Sequence, residues 1–282
     1  IVQHPVDVVL RNTASISGDT AKGVLKLDHA DAVVAGVTFA DGKINNSGKH
    51  AAVMLTGKGG TVSNCVIRGA YAMGSWYSAA TSLYMENGVV THCVISNGTQ
   101  SGKSKLNADA CAADVEGGLL VNTLICQNKG VDSDEGCQRV VTVGANGRLL
   151  NCDIVDNTLS SATNEAAAVV LADGAQLQNC VVFGNVKTDE KLVTNIRPNP
   201  AATIVSCATD GDITKAAFKN YDAGDYRPKS GGPLVDAGSA VAGWTATSGA
   251  TDLFRKPRVV GTAVDIGCYE LQPRSGLKLI LR

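Results

Sequence analysis

The hexapeptide VSNCVI at residues 62–67 returns as VTHCVI at 90–95, LVNTLI at 120–125, LLNCDI at 149–154 and LQNCVV at 177–182. With Val37 and Cys207 added at the two ends, the anchors Val37, Cys65, Cys93, Thr123, Cys152, Cys180 and Cys207 are separated by 28, 28, 30, 29, 28 and 27 residues. Such a period marks a repeat architecture, in which one unit is too small to bury its own apolar face. Three residues before each anchor stands an aliphatic residue (Val34, Val62, Val90, Leu120, Leu149, Leu177, Ile204). Two residues after it comes another large apolar one in most units (Phe39, Ile67, Ile95, Ile125, Ile154, Val182).

A gap of three followed by a gap of two fits neither a helix nor an uninterrupted strand. Two strands joined by a bend just before the anchor resolve it, since a bend shifts the inward phase by one residue. The bend position holds Gly36, Asn64, His92, Asn122, Asn151, Asn179 and Ser206, a set rich in the residue types that accept positive φ. A second bend falls at Gly60, Gly88, Gly118 and Gly147, five residues before their anchors, and a further β-like run precedes it: AAVML at 51, SLYM at 82, VVTV at 140 and AVVL at 168. Each unit reads as three short strands around a triangular turn. Stacked in register, the units form an all-β, right-handed, single-stranded parallel β-helix of about 28 residues per coil, with Cys, Ile/Val and Asn ladders along its axis.

Composition agrees. The 282 residues are 44% hydrophobic and only 18% charged, with 31 glycines and 4% aromatics, as a turn-rich β protein requires. A formal net charge of −1 provides no overall field for nucleic acid or anionic lipid. No apolar run approaches the roughly 18 residues of a membrane helix.

These repeats resemble the right-handed parallel β-helix superfamily that includes pectate lyases, over residues 34–207. The stretch after Asp210 is similar to the C-terminal segment of bacterial surface β-helix proteins of the choice-of-anchor kind. The resemblance rests on Gly224-Asp225-Tyr226, GPLVDAGS from Gly232, TDLFRKPR from Thr251 and VDIGCYE from Val264. Here Gly232 stands where Ser is more frequent and Cys268 where Ala is. The expected organisation is coils over 1–211, irregular coils and a cap over the open C-terminal edge at 212–270, and a tail at 271–282. The resemblance implies export to a bacterial cell surface or envelope. Ile1 is preceded by no charged and apolar leader, so a signal for that export is expected either to have been removed or to lie outside this sequence.

Of nine cysteines, Cys65, Cys93, Cys152, Cys180 and Cys207 occupy one inward phase. In-register neighbours hold their Cβ atoms wider apart than a relaxed disulfide prefers, so these read as buried free thiols. Cys111 and Cys137, in loops entering adjacent coils, are either bridged or free.

The long insertions follow the last strand of a unit and therefore pile up along one side. Residues 68–84 carry Tyr71, Trp76, Tyr77 and Tyr84, either a platform for sugar rings or a roof over the core. The next loops bring Lys103, Lys105 and Asp109, then Asp132, Asp134, Glu135 and Arg139. The ligand-binding set is Tyr71, Trp76, Tyr77, Lys103, Lys105 and Arg139. Asp132, Asp134 and Glu135 are closely spaced oxygen donors for calcium, though without the spacing of a twelve-residue calcium loop, and a solvated acidic turn is the competing reading. No other cofactor is expected. Glu86 and Glu116 each lie seven residues before their anchor, one coil apart, where a carboxylate pair could serve a retaining glycosidase; exposed turn residues are the alternative.

The sequence thus predicts a monomeric, exported bacterial β-helix that binds a complex carbohydrate, with no nucleic-acid partner. A polysaccharide lyase or glycoside hydrolase acting through the rim at 68–139, or a non-catalytic adhesin or spacer, are the alternatives.

Overall fold

The computed structural model describes residues 8–11, 23–45, 51–73, 80–101, 110–131, 137–160, 166–241 and 250–273. Every pairing between coils is parallel, and the neighbouring strands come from successive repeats. One coil runs through Val53–Leu55, Thr61–Ser63, Val66–Arg68 and Tyr71–Met73. The next repeats it with Leu83–Met85, Val89–Thr91, Val94–Ser96 and Thr99–Ser101. We call these four segments the first to fourth arms.

The expected columns form. Val34, Val62, Val90, Leu120, Leu149, Leu177 and Ile204 lie in register from coil to coil on the second arm. Phe39, Ile67, Ile95, Ile125, Ile154 and Val182 do so on the third. From Val62 to Leu177 and from Ile67 to Val182 these side chains are completely buried in one continuous core, each worth roughly 1.5–3 kcal/mol relative to exposure.

All seven bend residues ahead of the anchors have positive φ, from 48° at Asn122 to 70° at Gly36, and His92 at 53° takes the same conformation as the asparagines. The glycine bend has a steric cause: a Cβ at Gly88, where φ is +90°, would stand 2.5 Å from the Gly60 carbonyl oxygen of the coil below.

The anchor cysteines have a shared task. Each thiol reaches the carbonyl two residues back and a carbonyl of the previous coil, as Cys93 does to Thr91 at 3.2 Å and Val62 at 3.8 Å. Cys152 does the same with Leu150 and Leu120. Thr123 occupies the same place in its coil, and its hydroxyl donates to Val121 O at 2.9 Å. A small side chain fits the position, and where it carries a donor proton it adds a second bond to a carbonyl that already accepts from the bend amide of the neighbouring coil, as Leu150 O does from Asn122 N at 3.1 Å. All nine cysteines are free thiols, Cys111 and Cys137 included, which decides the alternative left open above.

Three features differ from expectation. First, each coil has four arms, not three. A further bend four residues after the anchor, at Asp41, Gly69, Asn97, Gln127, Asp156 and Gly184, all at positive φ, opens the fourth arm and its own sheet.

Second, besides the asparagines at the bend before the anchor, an asparagine ladder that was not expected runs five residues after it, as buried as Asn122, Asn151 and Asn179. Asn128 donates to Asn157 Oδ1 at 3.0 Å and Asn157 to Asn185 Oδ1 at 2.9 Å. Each Nδ2 also reaches two main-chain carbonyls. Of the expected ladder, Asn179 to Asn151 at 3.0 Å persists, together with a 3.4 Å contact between Asn122 and His92.

Third, the C-terminal segment turns back over the outer face of the third-arm sheet, whereas a cap over the open end was expected. Ile204, in the same column as completely buried Leu177, is 40% exposed, so the last coil is not roofed at that point. Phe218, Tyr221, Tyr226, Leu234, Leu253, Ile266 and Tyr269 instead pack on Val94, Leu124, Cys126, Val155, Val181 and Phe183.

Candidate functional site

Outward-pointing positions of the first arm also align. Lys26, Met54, Tyr84, Asp114, Thr142, Val170 and Arg197 form one axial column. Two residues on, Glu86 stands just after the strand Leu83–Met85 and Glu116 within the continuous strand Ala110–Val121. Glu86 accepts from the Tyr84 hydroxyl at 3.0 Å and from the Gly57 amide at 2.8 Å, one bond to each carboxylate oxygen. Asp114 is buried and accepts from the Thr142 hydroxyl at 2.8 Å.

Two hollows open on this side. One, about 460 Å³, is lined by Glu86, Asn87, Gly88, Asn146 and Arg148 among others. The other, about 210 Å³, is lined by Asp114, Glu116, Arg139, Thr142 and Asn199 among others. Glu86 and Glu116 therefore line different hollows, and Glu86 has both oxygens engaged in the fold. A retaining pair has to face one shared space. Arg139 joins Glu116. Tyr71 lies elsewhere, on the fourth-arm sheet between Lys43 and Thr99. Tyr84 is buried against Met54, Ala51, Ala80 and Ala110, so it serves as a roof. Trp76, Tyr77, Lys103, Lys105, Asp109, Asp132, Asp134 and Glu135 lie outside the described residues. Among the described residues no His, Cys, Asp or Glu cluster is arranged to hold a metal ion, and no helix is long and apolar enough to cross a membrane.

The C-terminal segment carries a group of buried polar side chains that periodicity does not reveal. It docks on the bend residues of the coils. His92 Nε2 meets the Thr251 hydroxyl at 2.9 Å and Asn122 donates to Thr251 O at 2.7 Å. Asn179 exchanges bonds with Ser239 at 2.8 Å in both directions. Asp153, between Leu124 and Val181 on the outward side of the third arm, accepts from the Cys268 amide and thiol. Burial pushes the Asp153 carboxyl up to about 7, against the pull of the Cys268 amide and thiol and of Arg258.

The motif residues of this segment organise its irregular backbone. Asp265 accepts from Asp236 N and Leu271 N, Asp252 from Lys256 N and Glu270 N, and Glu270 from Asp265 N and Val260 N. Arg258 is fully buried and donates through Nη2 to the carbonyls of Asp265 and Gly267. Beside this network is a basin of about 770 Å³, lined by Lys219, Arg227, Lys229, Lys256, Phe254 and Glu270 among others.

The family described as a right-handed beta helix region matches residues 24–207, well over half the chain, and the chain belongs to it. A comparison with curated proteins finds no match. Among solved structures, that of pectate lyase Pel9A is similar over 95% of this chain and 87% of its own, at 11% identity and a TM-score of 0.41.

Proposed function

We propose that this β-helix binds a complex carbohydrate without turning it over, along the outer face of the first and second arms, as an exported protein of a bacterial cell surface or envelope. The observation that carries the reading is the axial repetition of hydrogen-bonding groups. Glu86 and Glu116, at equivalent places one coil apart, and Arg148 bonded to Gln176 in the next coil at 2.9 Å follow the coil spacing, beside a column in which Tyr84 and Asp114 are buried and bonded to Glu86 and Thr142. That spacing is about 4.8 Å. A row of equivalent donors and acceptors at constant spacing suits a ligand that is itself a repeating chain, and the hollows beside Arg148 and Arg139 supply concave relief for it.

The separation of Glu86 and Glu116 into different hollows, with both Glu86 oxygens engaged by Tyr84 and Gly57, favours binding over hydrolysis, since a retaining pair has to face one space. The test is affinity electrophoresis on a panel of neutral and acidic polysaccharides, run beside assays for reducing ends and unsaturated products. Retardation without product, weakened at least fivefold in an Arg139→Ala/Arg148→Ala variant, is expected. Product release would replace the reading with a lyase or hydrolase, and no retardation on any polysaccharide would replace it with a spacer or protein-binding adhesin.

A further inference from the structure

The basin in the C-terminal segment is separate from the outer arm face, and its chemistry is more specific. Its volume, about 770 Å³, lies within the range of small-ligand sites. Four cationic side chains surround it, Lys219, Arg227, Lys229 and Lys256, against two carboxylates, Asp252 and Glu270.

The two carboxylates already serve the fold. Asp252 is buried and holds the amides of Lys256 and Glu270 at 2.8 and 3.1 Å. Glu270 holds those of Val260 and Asp265 at 3.3 and 3.0 Å. Arg227 is occupied as well, its fork closed on Asp225 at 2.6 and 2.7 Å. Lys219, Lys229 and Lys256 are exposed and have no carboxylate partner among the described residues. The unspent charge of the basin is therefore positive, carried by flexible ammonium groups at the rim, while the one guanidinium fork is used. That disfavours a tightly gripped terminal phosphate and favours a charge that can be met from several directions.

The second element is apolar. Phe254 is 37% exposed and its ring is backed by Tyr269, centroids 5.1 Å apart at 46°. Tyr269 is itself buried on the third-arm sheet, so the Phe254 ring rests on a rigid support. A flat apolar face beside free ammonium groups matches a ring with one apolar face and an acidic substituent.

We propose that this basin is a second saccharide site, selective for sugars that carry an anionic group, with Lys229 and Lys256 meeting the charge and Phe254 the ring. The proposal takes the saccharide class from the function proposed above, and the anionic requirement from the basin alone. The carboxylate of a uronic acid and the sulfate of a sulfated sugar share the required chemistry.

Calorimetry on the full chain tests it with four probes: trigalacturonic acid, its fully methyl-esterified form, a heparin-derived disaccharide and sodium sulfate. At least one of the two charged sugars is expected to bind; which one identifies the source of the charge. The ester should bind at least tenfold more weakly than the acid where the acid binds, and sulfate alone more weakly than the sulfated disaccharide. Lys229→Ala/Lys256→Ala should reduce the affinity at least tenfold, and Phe254→Ala severalfold for the sugars but not for sulfate. Equal binding of ester and acid, unchanged affinity in the lysine variant, or no binding of either charged sugar overturns the proposal. Loss of polysaccharide retardation in Arg139→Ala/Arg148→Ala with trimer binding intact leaves the basin standing by itself. Polysaccharide retardation by the unaltered chain, with neither charged sugar bound by it, leaves only the outer face.

Discussion

The coils and the C-terminal segment bury their side chains by opposite means. In the coils contacts repeat: a residue meets its equivalents 27 to 30 positions away, and the same apolar column, thiol-to-carbonyl bond and asparagine bond recur in successive layers. In the C-terminal segment nothing repeats. Among its described residues the strands shrink to one antiparallel pair, Phe218–Asn220 with Asp225–Pro228. Its position depends on single bonds across 115 to 159 residues, such as Cys268 to Asp153 and Thr251 to His92. A repetitive stack tolerates local variation because each layer has two neighbours with the same rule. An irregular covering depends on a few buried polar groups, each of which is costly to leave unpaired.

That contrast orders the expected effects. Ile125→Ala, in the centre of the third-arm column, should cost about 2–5 kcal/mol in urea unfolding and lower the midpoint of the whole transition. Asn157→Ala should follow at roughly 1–3 kcal/mol, because it strands the Asn128 amide and the carbonyls of Ile125 and Val155. Both changes act on the stack, so a variant that loosened only residues 212–271 to protease would break the comparison.

The C-terminal segment should respond to pH where the stack does not. The Asp153 carboxyl is raised by burial to about 7, and Glu270 likewise, first by burial and then by neighbouring Asp265. A raised carboxyl holds a proton that the unfolded chain has released. The stabilisation is complete below the ordinary carboxylate range, near pH 4, and is lost as pH rises to about 7. Proteolysis within 212–271 should therefore be faster at pH 8 than at pH 5, and Asp153→Asn should flatten that dependence. A steeper one in the variant would refute the role given to Asp153.

The smallest effect separates packing from hydrogen bonding at the anchors. Cys152→Thr should be more stable than Cys152→Val by roughly 1 kcal/mol, since the two replacements have nearly the same shape but only Thr can donate to Leu150 O. Equal stability would mean that the column needs volume alone.

Much of the coil could be read from residue order. The inward columns, the positive-φ bends at Asn64, His92, Asn122, Asn151, Asn179 and Ser206, and the parallel stacking all follow from a period near 28 and from which residues accept a left-handed backbone. The fourth arm was missed although its bend carries Asp41, Gly69, Asn97, Asp156 and Gly184, because Gln127 interrupts the series and the strands that follow are only two or three residues long. The asparagine ladder had a signal too, in Asn128, Asn157 and Asn185 at one constant offset from the anchors. The candidate site was less legible. Glu86 and Glu116 do stand at equivalent places, yet the hydroxyl of Tyr84 and the amide of Gly57 that engage Glu86 belong to its geometry and not to its spacing.

A local rule, repeated, was enough to specify the tube: periodic apolar residues choose the inside, and Gly, Asn, Asp and small donors choose the corners, all within one coil. The path of the described residues after 211 obeys no such rule. Whether they closed the open end or lay over the third-arm sheet depended on which distant surfaces were complementary, with Asp153, His92, Asn122 and Phe183 waiting on the coils. Such matching is a property of surfaces assembled in space, so only the folded molecule decided it, and with it the cationic basin that residue order leaves scattered from Lys219 to Glu270.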